Sequence, residues 1–323
     1  MSVRIEVDRI EAVPPRHLVR AFHGAGWVVT ASWNKDQVQV TGLDGAPRDL
    51  RTSGLMALDV SANGDVLLLE PHPRGPMRTD GPPTRIRLVP RSGSASSVSA
   101  HAIRSLRFDS EFGGAVAFGP AGTAWLSGCD IRQEEGIWLG LVDLAKGKLV
   151  TSTTLPDPYP GQVWLHRGDS AESVLLYLGA GQHGQWQYLV SRRAGALVWR
   201  QLGSGDETSP ASFAADGSQF TAAVDWSKPT LVIGRREDGA ILRSVRLPYD
   251  NGGAVTAFDT GEQIVVAHPE PRLDVFDRET LEPAGSITLG HDLDGDTRFD
   301  AGRFVSVVNV GGERNWMMWR IVR

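Results

Sequence analysis

One unit recurs along this chain about every 45 residues: a short apolar run ending in Phe or Leu, a tight turn containing Gly, and a second apolar run. It reads Ala57-Leu58-Asp59 before Gly64, Ala117-Phe118-Gly119 before Gly122, and Ser212-Phe213 before Asp216-Gly217. It returns as Ala257-Phe258-Asp259 before Gly261 and as Arg298-Phe299-Asp300 before Gly302. A strand, turn, strand unit cannot bury its faces alone, so units at this period must stack on one another. The arrangement implied is a β-propeller.

The remaining whole-chain features fit one all-β domain spanning residues 1–323, because rings of repeats run long without dividing. With 41% apolar residues the chain can bury a large core, and a net charge of -5 gives no basic footprint for nucleic acid or anionic lipid. The single cysteine, Cys129, cannot form an internal disulfide. Arg4, Asp8, Arg9, Glu11 and Arg16 interrupt the first twenty residues where a signal peptide needs an apolar run, and no stretch is long and apolar enough to cross a bilayer. A cytoplasmic protein without membrane contact is expected.

Assigning four antiparallel strands, a to d, to each unit gives seven blades and very little helix, because no apolar pattern of period 3.6 persists with caps. Blade one uses residues 17–22, 27–32, 37–41 and 47–51; blade two 55–59, 66–70, 85–89 and 96–99; blade three 115–118, 123–127, 138–142 and 148–155. Blade four uses 162–166, 173–178, 186–191 and 196–202; blade five 211–214, 219–224, 231–234 and 240–247; blade six 255–258, 263–267, 273–276 and 283–289. The seventh has only 298–299, 304–310 and 316–322. It lacks an outer strand. Val3–Val7 belongs to no blade and alternates Val3, Ile5 and Val7 on one face, so pairing it with the C-terminal blade would close the ring and remove two open edges.

Two kinds of segment resemble known propellers. The segment Ser212-Phe213-Ala214-Ala215-Asp216-Gly217-Ser218-Gln219-Phe220 is similar to the strand a, turn, strand b portion of WD40-type repeats. Leu141–Val150 and Val275–Leu281 resemble the strand c, turn, strand d portion shared by WD40, YVTN and quinoprotein-like propellers. The chain departs from the WD40 pattern in having no Trp-Asp dipeptide and one Gly-His pair, Gly290-His291. The resemblance implies a fold that serves most often as a rigid interaction platform and elsewhere carries hydrolases, lyases and oxidoreductases.

By fold analogy, ligands meet the face that carries the b–c loops. Two of these loops are near copies, Glu70-Pro71-His72-Pro73-Arg74 and His268-Pro269-Glu270-Pro271-Arg272, with Glu and His exchanged. Proline fixes φ, so either the loops hold Arg74 and Arg272 on ordered backbone for a ligand, or the prolines only end strand b. His72, His183 and His268 fall on b–c loops of alternate blades; converging, they could hold a transition metal or serve catalysis with Glu270 or Asp130 as base. The plainer alternative is solvated loop histidines.

The segment Asp292-Leu293-Asp294-Gly295-Asp296 resembles a calcium loop of FG-GAP type, and equally an Asp/Gly-rich surface turn. Of the ten tryptophans, eight (Trp27, Trp125, Trp138, Trp164, Trp186, Trp199, Trp316 and Trp319) fall inside strands and are expected to pack between blades. Trp33 and Trp226 lie on b–c loops, Trp226 beside Asp225, which suits a contact surface. No nucleophile motif is present and no cofactor is required. The sequence therefore favours a binding or scaffold propeller that presents its loops to a protein or peptide. The alternative is a lyase, isomerase or hydrolase acting on a small molecule in the central channel.

Overall fold

The computed structural model describes residues 4–13, 17–23, 27–32, 36–42, 47–71, 84–99, 106–107, 114–130, 136–156, 162–167, 172–179, 185–202, 212–214, 218–224, 229–248, 255–268, 271–289, 293–300 and 302–322. The chain opens with β1 (Arg4–Ala12). Blade one follows as β2 (His17–His23), β3 (Trp27–Ser32), β4 (Gln37–Gly42) and β5 (Arg48–Arg51). Blade two is β6 (Ala57–Val60), β7 (Val66–Pro71), β8 (Thr84–Val89) and β9 (Ser96–Ser99). Blade three carries β10 (Leu106–Arg107), β11 (Ala115–Phe118), β12 (Thr123–Asp130), β13 (Ile137–Asp143) and β14 (Lys148–Leu155).

Blade four is β15 (Gln162–Arg167), β16 (Ser173–Gly179), β17 (Gln185–Arg193) and β18 (Ala196–Leu202). Blade five is β19 (Ser212–Phe213), β20 (Gln219–Val224), β21 (Thr230–Arg235) and β22 (Ile241–Arg246). Blade six is β23 (Thr256–Asp259), β24 (Gln263–Ala267), β25 (Arg272–Asp277) and β26 (Pro283–Thr288). The last sheet takes β27 (Leu293–Asp300), β28 (Arg303–Val310), β29 (Glu313–Val322) and, as its outer strand, β1. The architecture is a seven-bladed β-propeller of antiparallel blades, and no helix occurs among the described residues.

The expected closure is present and longer than the alternation indicates: β1 pairs antiparallel with β29 from Arg4↔Val322 to Ala12↔Asn315. A bulge between Val7 and Arg9 turns the strand over. Ile5 packs on the core of the last two blades, whereas Val7 is exposed, so the single apolar face expected of this strand is broken. Beyond the bulge Arg9 lies over the Trp316 ring at 5.3 Å. Blade three departs in another way. The short β10 pairs Leu106 with Asp130 and Arg107 with Cys129, which gives that sheet a fifth strand.

Contacts group the chain into two compact units: residues 1–33, 38–50 and 207–323, and residues 34–37 and 51–206. In the second, apolar side chains fill the seams between sheets: Leu69, Ile86, Leu126 and Trp138 between blades two and three, and Trp125, Leu139, Leu176 and Tyr188 between blades three and four. In the first, Ile233, Leu231, Ile264 and Phe276 join blades five and six, and Phe258, Val265, Phe304 and Trp319 join six and seven. Phe304 stacks on Trp319 with centroids 4.2 Å apart. Gly234 is required beneath Phe220, since a Cβ there would lie 2.2 Å from the ring.

The c–d turns follow from single aspartates. Asp143 Oδ1 accepts the amides of Ala145 and Lys146, and Asp277 Oδ1 those of Glu279 and Thr280, so each side chain substitutes for a turn carbonyl. The bond from the Lys146 amide also holds the Asp143 carboxyl below its usual range. Four tryptophans expected to be core (Trp125, Trp138, Trp316 and Trp319) are buried. Trp164 and Trp199 are not: they are 39% and 40% exposed, on the first and last strands of their sheet.

Candidate functional site

Blade two and blade six each hold a polar corner where their strands b and c meet the b–c loop. In blade two, Glu70 sits near the end of β7, opposite Arg85 of β8, and Arg87 lies one pleat further along the same face. The Glu70 side chain is fully buried. Arg85 Nε donates to its Oε1 at 2.9 Å and Arg85 Nη2 reaches the same oxygen at 2.7 Å. Arg87 Nη2 donates to Oε2 at 3.3 Å, and Arg87 Nε approaches Oε1 at 2.7 Å. The Ser53 amide donates to Oε2 at 3.1 Å, Ser53 Oγ to the Pro71 carbonyl at 3.0 Å, and Arg87 Nη2 to the Arg51 carbonyl at 2.6 Å. A carboxylate without water is tolerable only with such partners.

In blade six the corresponding positions carry His268 after β24, Arg272 at the start of β25, and Asp274 one pleat along. The carboxylate has moved from strand b to strand c. Asp274 is buried; its Oδ2 lies 3.0 Å from His268 Nε2 and its Oδ1 accepts Arg272 Nε at 2.9 Å. Ser286 Oγ makes a short bond to Oδ1, and the His268 amide donates to the Arg272 carbonyl at 3.1 Å. An ionised Asp274 only accepts, so His268 Nε2 carries the hydrogen of that bond. Ser286 bonds the carboxylate rather than the imidazole, which is not the order that activates a serine.

Arg272 begins β25, the place that Arg85 holds in β8 of blade two. Asp130 ends β12, paired with Leu106, instead of standing in a loop. Asp294 and Asp296 fall within β27, where the register with β28 breaks between Leu293 and Thr297. Trp33, His72, Arg74, His183, Asp225, Trp226, Glu270 and Asp292 lie outside the described residues. Among the described residues no group of three or more His, Cys, Asp or Glu is placed to hold a metal ion.

The other end of strand a carries contacts that no sequence motif marks. Asp59 is the penultimate residue of β6; its Oδ1 accepts the Val60 amide at 2.8 Å, and its Oδ2 accepts the Phe118 amide and Arg167 Nε, both at 2.8 Å. Arg167 is on blade four and also donates to the Val60 carbonyl at 2.8 Å, so one guanidinium spans three blades. Asp259, the same letter of the repeat in blade six, takes Arg278 Nε at 3.1 and 3.0 Å and the Gly261 amide at 2.9 Å. Arg278 continues to Gln219 Oε1 at 3.0 Å, and the Asp259 amide donates to Ser212 Oγ at 3.1 Å, tying blade six to blade five. The signal lay in the repeated Asp itself; its arginine partners follow no spacing.

A third network is internal to the last blade. Trp319 Nε1 donates to Ser306 Oγ at 2.9 Å, and that hydroxyl lies 3.0 Å from Thr297 Oγ1. All three are buried, so the bonds fix the order of three strands inside the core.

No family model matches the sequence, and no curated protein matches it. Among solved structures, the chain is similar to that of the Dos1 propeller, with 11% identity, a TM-score of 0.58, and 91% of this chain and 75% of that chain covered. At that identity the likeness speaks for the propeller fold alone. No helix among the described residues is long and apolar enough to cross a membrane.

Proposed function

We propose that this protein is a non-catalytic binding platform whose b–c loops meet a protein or peptide partner, and that it works in the cytoplasm. The observation that carries the reading is the pair of buried corners at the roots of two of these loops. Glu70, Arg85 and Arg87 clamp the strands on either side of residues 72–83, and His268, Arg272 and Asp274 do the same beside residues 269–270. Groups that chemistry could use are here committed to one another. Such bonding holds loop ends in one geometry, which lowers the ordering cost of a contact made by the residues they carry.

Trp33 and Trp226 supply aromatic contact area in this reading, with Asp225, Arg74 and the half-exposed Arg272 as polar neighbours. The test is affinity capture from lysate with the wild-type chain and with a Trp33→Ala, Trp226→Ala double variant. A partner recovered by the first and lost by the second, at unchanged thermal unfolding, supports the reading. Equal recovery by both removes these tryptophans from the contact.

A further inference from the structure

We propose that Trp164 and Tyr177 of blade four form a docking notch for a proline-rich peptide, a site separate from the loop tryptophans proposed above. The two residues are cross-strand partners on β15 and β16, and their rings meet at 5.1 Å between centroids with planes inclined at 48°. Trp164 is 39% exposed and Tyr177 is half-buried, so the pair opens to solvent. A Cβ at Gly179 would lie 3.1 Å from Cζ3 of the indole and 3.5 Å from Cη2, so the benzo ring rests over bare backbone of β16. An aromatic side chain already fixed in place loses little freedom on contact.

The surroundings define the occupant. Register puts Trp164, Tyr177, Gln187 and Leu202 in one row across the blade, and Gln162, Gly179 and Gln185 in the row nearer the b–c loop. Neither row carries a charge; Arg200 enters only in the row on the far side, which His166 begins. The one polar atom of the Trp164 ring is Nε1, which donates and cannot accept, and no hydrogen bond holds it among the described residues. The complementary ligand is therefore apolar and uncharged, and it brings acceptors.

A run of prolines meets these conditions, because its nitrogens carry no hydrogen and its carbonyls bond nothing within a polyproline II helix. Its rings suit an aromatic-lined notch, and the helix is extended before it binds, so little order has to be imposed. A saccharide fits less well. Its hydroxyls donate as well as accept, and Gln187, the one amide in the Trp164 row, is buried. Trp199, exposed to the same degree, provides the contrast: its ring meets Tyr188 edge-on at 84°, which leaves no inclined notch between the two.

Isothermal titration of the full chain with acetylated decaproline tests this up to about 1 mM peptide, the range of a small contact. The wild type is expected to bind decaproline and to ignore a glycine-serine decamer. Trp164→Ala should weaken binding by at least about tenfold, whereas Trp164→Phe, which keeps a ring and loses the donor, should lose only about threefold. Trp199→Ala should leave binding unchanged. A wild type that does not bind decaproline, a Trp164→Ala variant that binds it equally, a Trp164→Phe variant as weak as Trp164→Ala, or an equal loss in Trp199→Ala would each overturn the proposal. Circular dichroism melts establish that the variants fold. Capture through Trp33 and Trp226 reads other residues, so either proposal can fail while the other stands.

Discussion

Blades two and six use one corner of the same scaffold with opposite wiring. In blade two the acid is on strand b, fully buried, and two arginines on strand c surround it; in blade six the acid is on strand c and shares a histidine, an arginine and a serine. Blade two commits two positive charges to one negative, all at low exposure. Blade six places Arg272 half in solvent, and its histidine is free to carry no charge at all. Both blades place a polar clamp where strands b and c give way to a loop. The residues at hand decide how tightly its members depend on each other.

This difference can be broken at its stiffer end first. Glu70→Ala leaves two guanidinium groups, each about one-fifth exposed, facing a cavity without a counter-charge. The expected loss is about 3 kcal/mol of stability, read as a fall in the urea midpoint with unchanged slope. Asp274→Ala should cost about half as much, roughly 1.5 kcal/mol, because Arg272 can return to water and His268 can go neutral. Equal losses at the two sites would mean that burial, and not the wiring, governs both.

The gentlest effect belongs to the closing strand. Arg320 bonds Glu6 across β1 and β29 and holds its carboxyl below the usual range, first through the hydrogen bond and then through charge attraction. A depressed folded value means that this contribution is complete above the unfolded carboxylate range and disappears as pH falls through the lowered folded value. Both side chains are at the surface, so the effect is small and screened by salt. In Glu6→Gln, the acid-side decline of the urea midpoint should be slightly shallower than in the wild type, and added salt should erase that difference.

The same contrast shows what the sequence carries. Blades were legible because Ala257-Phe258-Asp259 and its copies mark strand a, and alternation then places b, c and d; β3, β9, β11, β14, β18, β20 and β24 begin and end where that reasoning puts them. Closure by the first strand was legible as an unpaired apolar alternation, whereas its bulge was not, since one inserted residue leaves no mark in composition. Exposure of Trp164 and Trp199 was missed because strand membership says nothing of whether another sheet covers the strand. The corners were half legible. Glu70 and His268 stood out through the copied Pro-rich segments, but Arg85, Arg87, Asp274 and Ser286 are ordinary strand residues until register sets them on one face. Arg167 is further still from any local signal, lying 108 positions from the acid it binds.

Amide hydrogen exchange at the loop roots tests most directly whether the proposed binding loops stand on locked corners. Slow exchange is predicted in the wild type for the bonded amides of β7, β8, β24 and β25, with Glu70→Ala accelerating β7 and β8 while β24 and β25 stay protected. Fast exchange of these strands in the wild type, or no change in blade two on removing Glu70, would contradict a platform held rigid by its corners.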